Sequence, residues 1–166
     1  MDLLRELHPQ AVRIAEALKA RGEKIAVADG ATGGLIGAAL LTVPGALKFY
    51  VGGGIVYSFK ARDVLFDLPR DAYEGMRSAT EEYALLQARA IRDRLGADWG
   101  IAESGAAGSS KHPMGVASGM SVAAIAAPDF DRTAIVETAS DDRIDNMAAF
   151  TRNALDLLES ALRGTA

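Results

Sequence analysis

The sequence predicts an α/β fold, a single three-layer α/β/α domain with a mixed, largely parallel sheet. Two observations carry this. Strand-like and helix-like stretches alternate without a linker-like segment or an internal repeat, and the first strand candidate, Ile25-Ala26-Val27-Ala28, is apolar throughout, as in a parallel strand buried on both faces. The 166 residues are 49% hydrophobic and 24% charged, enough for one sizeable core. The expected domain covers residues 1–166, with 1–8 as a flexible N-terminal arm.

Apolar residues Ala11, Ile14, Ala15 and Leu18 recur at helical spacing after Pro9, whose fixed φ suits a first turn. Arg21-Gly22 ends that helix. After the first strand comes the turn Asp29-Gly30-Ala31-Thr32-Gly33-Gly34, then a helix over Leu35 to Leu41 with Thr32 as its cap, stopped by Pro44. Val51 to Ser58 reads as a second strand, in which Gly52, Gly53 and Gly54 suggest a close backbone approach. A short helix over Ala61 to Leu65 precedes the Leu68-Pro69 break. The next helix opens near Ser78 or Thr80, with Glu81 placed for a capping box on Ser78. Ala84, Ala88, Ile91 and Leu95 form its buried stripe, and Gly96 ends it. Trp99 to Glu103 reads as a strand leading into a second glycine-rich loop, Ser104 to Ser110. Strands over Val116 to Ala126 and Arg132 to Thr138 flank a hairpin turn at Pro128-Asp129. Ser140 caps the last helix, with Asp141 and Asp142 in its first turn and Ile144, Met147, Thr151, Leu155, Leu158 and Leu162 along one face.

Composition excludes several classes. Without cysteine there are no disulfides, thiolate clusters or cysteine nucleophiles, and two histidines leave little for a metal. A net charge of −4 without a basic run lacks the footprint of a nucleic-acid binder. No apolar stretch approaches the roughly 18 residues of a membrane span, and the acidic N-terminus is unlike a signal peptide. The expectations are a cytoplasmic protein with no membrane or nucleic-acid partner, no cofactor and no metal. Glycine and alanine, 17 and 32 residues, are in excess while aromatics are 6%, so stability should come from close backbone approach.

Ligands of open α/β sheets bind beyond the carboxyl ends of strands, where free N–H groups at helix N-termini attract anions. Both glycine-rich turns hold that position, although the first matches neither the Rossmann nor the P-loop spacing. It suits either an anion cradle or a tight crossover.

Several segments carry a resemblance over nearly the whole chain. They are Val27 to Ile36, Val43-Pro44-Gly45-Ala46, Gly54-Ile55-Val56-Tyr57-Ser58, Thr80-Glu81-Glu82, Arg94 to Asp98, Ser104 to Gly108 and Asp142-Arg143. In order and spacing they resemble the CinA C-terminal domain family, the nicotinamide mononucleotide deamidases. The resemblance implies removal of ammonia from the carboxamide of that nucleotide, leaving nicotinic acid mononucleotide. It makes a small-molecule pyridine nucleotide the expected partner. It also implies ligand contacts from Asp29, Thr32, Gly33, Gly34, Tyr57, Ser104, Gly105 and Arg143. In the family the first turn reads Glu-Ser-Cys-Thr-Gly-Gly, with serine as nucleophile, and a Tyr-Ser-Asn-Glu-Ala-Lys segment supplies a tyrosine and a lysine that activates the serine.

Here Gly30 and Ala31 replace the serine and cysteine, Tyr57 is kept, and Arg62 replaces the lysine. An arginine stays protonated and cannot act as a general base. Losing a serine nucleophile alone costs on the order of 10⁶ in kcat, about 8 kcal/mol. The expected state is therefore a CinA-like domain with impaired catalysis that retains nucleotide binding. Amide hydrolysis by Ser58, Ser104 or a water activated by Asp29 or Glu103 is one alternative. A non-catalytic association module is another, and a homo-oligomer is expected from the small-residue surfaces. Glu103 stands where the family is apolar, Met147 where it has a second arginine, and Ser109 to Gly115 shortens the second loop. The structural alternatives are a capping Thr32, a packed Tyr57, solvated Asp29 and Glu103, an exposed His112, and Lys60 and Arg62 as surface charges.

Overall fold

A computed structural model describes residues 2–110 and 112–164; Lys111 of the second loop and the outermost ends of the expected domain lie outside them. Helix α1 covers Leu3–Arg21 and is capped by the Asp2 carboxylate, which accepts the Leu4 N–H, while Gly22 closes it at φ 65°. The expected arm is thus mostly helix, with Leu7 buried in the core. Pro9 sits inside α1 and not in its first turn, because the acidic cap starts the helix earlier.

The chain continues through β1 (Ile25–Asp29), α2 (Leu35–Leu40), β2 (Tyr50–Ile55), α3 (Phe59–Phe66), α4 (Glu81–Leu95), β3 (Trp99–Ala106), β4 (Met120–Ala126), β5 (Asp131–Glu137) and α5 (Arg143–Gly164). The sheet order is β2-β1-β3-β4-β5. Pairing is parallel for β2-β1 and β1-β3 and antiparallel for β3-β4 and β4-β5, so β4 runs against the other four strands.

Alternate strand residues face opposite layers. Ile25, Val27, Ile101, Ala123 and Ile125 pack with α1, α2 and α5. On the other face Ala26, Ala28, Ala102, Ala124 and Ala126 meet Ala84, Ala88 and Ile91 of α4. Small side chains let α4 lie close: a Cβ at Gly100 would overlap the Ala88 carbonyl oxygen. Part of the alanine excess thus serves this helix-to-sheet contact.

Several boundaries differ from the sequence reading. Strand β2 ends at Ile55, and Ser58 instead caps α3 by accepting the Ala61 N–H. Thr80 caps α4, so no capping box forms on Ser78. Leu95 is exposed at the β2 edge of the sheet, beside Gly52. Strand β3 continues through Ser104, Gly105 and Ala106, which pair with β4, so half of the expected second loop is strand. Ahead of α5, the Ser140 hydroxyl accepts the Asp142 N–H, while the Asp142 carboxylate accepts from Asp145 at the helix start. Ile144 is 80% exposed and Asn146 fully buried. The buried face of α5 thus starts at Asn146, whose amide donates to the Ala107 and Ser140 carbonyls.

Candidate functional site

The turn after β1 is built around two carboxylates. Asp29 is buried; its Oδ1 accepts the Thr32 hydroxyl (2.5 Å) and the Ile36 N–H (3.0 Å), and its Oδ2 the Gly37 N–H (3.2 Å). The Thr32 N–H donates to Glu103 Oε1 (2.8 Å), and Glu103 Oε2 accepts the Ser121 hydroxyl (2.7 Å). Donors at the entrance of α2 are thus already taken by the chain's own carboxylates. Of the two readings of that turn, this favours the tight crossover over the anion cradle. It also corrects the cap, because Gly34 stands at the N-cap with φ 98° and the Thr32 hydroxyl turns back to Asp29. Nor are the carboxylates solvated: Glu103 is 1% exposed. Burial raises the pKa of Asp29 against the hydrogen bonds from Thr32, Ile36 and Gly37. Burial likewise raises Glu103, aided by the charge of Asp29 and opposed by hydrogen bonds from Ser121 and Thr32.

Next to this turn lies a cavity of about 370 Å³, bounded by the β2–α3 connection, the start of α4, the end of β3, the following loop and the first residue of α5. Of the residues singled out in the sequence, Gly30, Ala31, Tyr57, Ser58, Glu103, Ser104, Gly105, His112 and Arg143 line it. Asp29, Thr32, Gly33 and Gly34 are not among its lining residues: Asp29 and Thr32 are buried in the turn's internal network, and Gly33 is exposed beside Met147. The Tyr57 hydroxyl accepts from the Arg143 guanidinium at 2.8 Å, which joins β2–α3 to α5 across the opening. Tyr57 is 69% exposed, so it is not a packed core residue. His112 is half-buried in the wall and not exposed as expected; its Nδ1 accepts the Met114 N–H, and burial lowers its pKa.

At Gly30 a Cβ would overlap the backbone oxygen of Glu103 and lie 3.2 Å from its Oε1. Arg62 faces a separate surface depression, where its guanidinium stacks 3.7 Å from the Tyr73 ring centroid and pairs with Asp63 at 3.1 Å. It is therefore neither a group in the cavity nor a free surface charge, whereas Lys60 is exposed. Ser58 is used as a helix cap, and Ser104 Oγ accepts the Ala79 N–H at 2.9 Å. Neither serine is hydrogen-bonded to a basic side chain among the described residues. A serine nucleophile needs such a base.

Three wall residues from α4 and the segment before it were not singled out as site residues by the sequence reading: Ser78, read there only as a helix cap, Tyr83 and Gln87. Gln87 had a legible signal. It falls between Ala84, Ala88 and Ile91 on the apolar stripe, where a polar side chain is out of place.

The described residues include no helix long and apolar enough to cross a membrane and no group of three histidine or acidic side chains placed to hold a metal. The chain matches the family described as the CinA C-terminal domain over residues 7–162. A CinA-like protein of Prochlorococcus marinus is 39% identical over 95 residues, which is 57% of this chain and 22% of that protein. A putative competence-damage inducible protein of Desulforamulus reducens is 36% identical over 87 residues, covering 52% and 21%. The matched segment thus spans about a fifth of the length of these curated relatives. Among solved structures, a CinA superfamily protein of Klebsiella pneumoniae superposes with a TM-score of 0.86 at 26% identity, covering 95% of this chain and 98% of that one. One from Enterobacter cloacae gives 0.86 at 26%, covering 94% and 92%.

Proposed function

The chain belongs to the CinA C-terminal domain family, and from that membership we propose that its cavity binds a pyridine nucleotide while the family's amide hydrolysis is lost. One observation carries the proposal. Gly30, at the position of the family's serine nucleophile, has no room for a side chain because the Glu103 carbonyl fills that space. Arg62, at the lysine position, is held on Tyr73 and Asp63 and stays protonated. Nucleophile and proton acceptor are both missing, so the oxyanion has no step from which to form.

Binding has separate support. The cavity volume falls in the range of small-molecule sites, roughly 300–1,000 Å³. Tyr57, Phe59 and Tyr83 offer aromatic faces to a flat heterocycle, and the Arg143–Tyr57 pair offers a cation and a hydroxyl to a phosphate. The test is incubation of concentrated protein with nicotinamide mononucleotide, with ammonia measured and backbone NMR shifts followed. No ammonia is expected, and shifts at Gly30, Ala31 and Ser104 to Gly108. Turnover near that of an active family enzyme would overturn the loss of hydrolysis, and unshifted resonances the binding.

A second reading, association with another copy of the chain, is favoured by Val51 and Ile55, which stand exposed on the edge strand β2. The two readings are compatible.

A further inference from the structure

The cavity wall contains a hydrogen-bonding group that the fold leaves unused. Gln87 is 3% exposed, and its amide has no hydrogen-bond partner among the described residues. Its polar atoms are nevertheless not sealed off, since the fully occluded unpartnered side-chain atom among the described residues is Tyr73 Oη. Gln87 lines the cavity, so the cavity is what its amide meets. A buried amide without a partner is costly, and inside a cavity it marks where a bound molecule completes the bonds.

The surroundings define what that molecule presents. Ser104 Oγ already accepts the Ala79 N–H and keeps its own proton to donate, and the Ser78 hydroxyl has no partner among the described residues. The Glu103 carboxyl is no part of these surroundings: it points to the opposite face of β3, where it accepts from the Thr32 N–H and the Ser121 hydroxyl. Arg143, the arginine that lines the cavity, is exposed and engaged with Tyr57. On the α4 side of β3 the wall thus offers neutral donors and acceptors. A neutral group with both N–H and C=O fits this set, whereas a carboxylate brings only acceptors.

We propose that Gln87 reads the carboxamide of an aromatic amide seated in the cavity, its Oε1 accepting an amide N–H and its Nε2 donating to the amide oxygen, and so selects the amide over the corresponding carboxylic acid. This rests on the pyridine-nucleotide reading and concerns the ring end of the ligand. A site that hydrogen-bonds its ligand discriminates strongly against an analogue that leaves its polar groups unpaired.

The test is NMR titration of the full chain with benzamide and benzoate, then with nicotinamide mononucleotide and nicotinic acid mononucleotide. Benzamide should show nuclear Overhauser contacts from its ring to the Gln87 side-chain NH₂, and benzoate should bind about tenfold more weakly. Gln87→Met should weaken benzamide about tenfold and leave benzoate unchanged. Equal affinity for the two probes, no binding of benzamide, or a Gln87→Met chain that holds benzamide as well as the natural one would each overturn the role of Gln87. If Gln87→Met does not fold, the Overhauser contacts in the natural chain decide. Binding of benzamide but of neither nucleotide upholds Gln87 and removes the pyridine-nucleotide reading. Equal binding of both nucleotides upholds that reading and overturns the selection by Gln87.

Discussion

Position 30 and Glu103 compete for the same space, since a Cβ at Gly30 would overlap the Glu103 carbonyl oxygen. Gly30→Ser should therefore lower stability by about 1–3 kcal/mol, the usual cost of overpacking, measured by urea unfolding. Adding Arg62→Lys should not produce ammonia release, because position 62 is directed at Tyr73 and Asp63; appearance of amidase activity in the double variant would contradict this. Glu103 itself should give a pH signature. Its folded pKa is raised above the ordinary 4.5, mainly by burial, so the folded state holds that proton more tightly than the unfolded chain. The resulting stabilisation is complete below about 4.5 and is lost as pH rises through the raised value. The surface carboxylates Glu6 and Glu159 are lowered, mainly by hydrogen bonds from Arg152 and Arg13, and act only at more acidic pH. The thermal midpoint of the natural chain should thus fall as pH rises from the ordinary carboxylate range through the raised value, with Asp29, also raised by burial, acting in the same sense, and Glu103→Gln should flatten part of that slope. Equal slopes in the two proteins would refute the assignment. Gly30 and Arg62 were legible as departures from a motif. That Glu103 blocks a reversion was not, because the obstructing carbonyl comes from another strand.

At the scale of elements, the β1–α2 junction is held by one side chain. Asp29→Ala would strand the Ile36 and Gly37 N–H groups and the Thr32 hydroxyl in a buried place, at a cost of about 2–3 kcal/mol. Asp29→Asn keeps an acceptor oxygen and should cost less; comparing the two midpoints in denaturant checks the capping role. The helices themselves were readable from periodicity and from stop signals such as Gly22 and Gly96, both in the left-handed region. Caps were less so. Asp29, Ser58 and Thr32 all have capping chemistry, and local sequence does not reveal which N–H each hydroxyl or carboxylate will meet. Ile144 shows the same limit: it fits the helical stripe of α5, yet the helix reaches the core only from Asn146 onward.

For the whole molecule, β2 is an edge strand, and an edge carrying exposed Val51 and Ile55 is open to pairing with another chain. If the association reading holds, sedimentation at micromolar concentration should give a species heavier than 17.4 kDa, and Ile55→Lys should return it to monomer. A monomer in the natural chain would remove that reading. By itself the amino-acid sequence determined the α/β class, the alternation of its elements and the family resemblance, because periodicity, glycine stops and motif order are local properties. It also marked the altered family positions, Gly30 and Arg62 among them. Only the tertiary structure decided what those residues face. It joined Asp29 to Glu103 through Thr32, turned Arg62 out of the cavity and Gln87 into it, and placed Arg143 on Tyr57. The reason is physical: contacts between strands and helices distant in the chain depend on how closely the layers pack, and here that spacing is set by glycines and alanines whose partners lie elsewhere in the sequence.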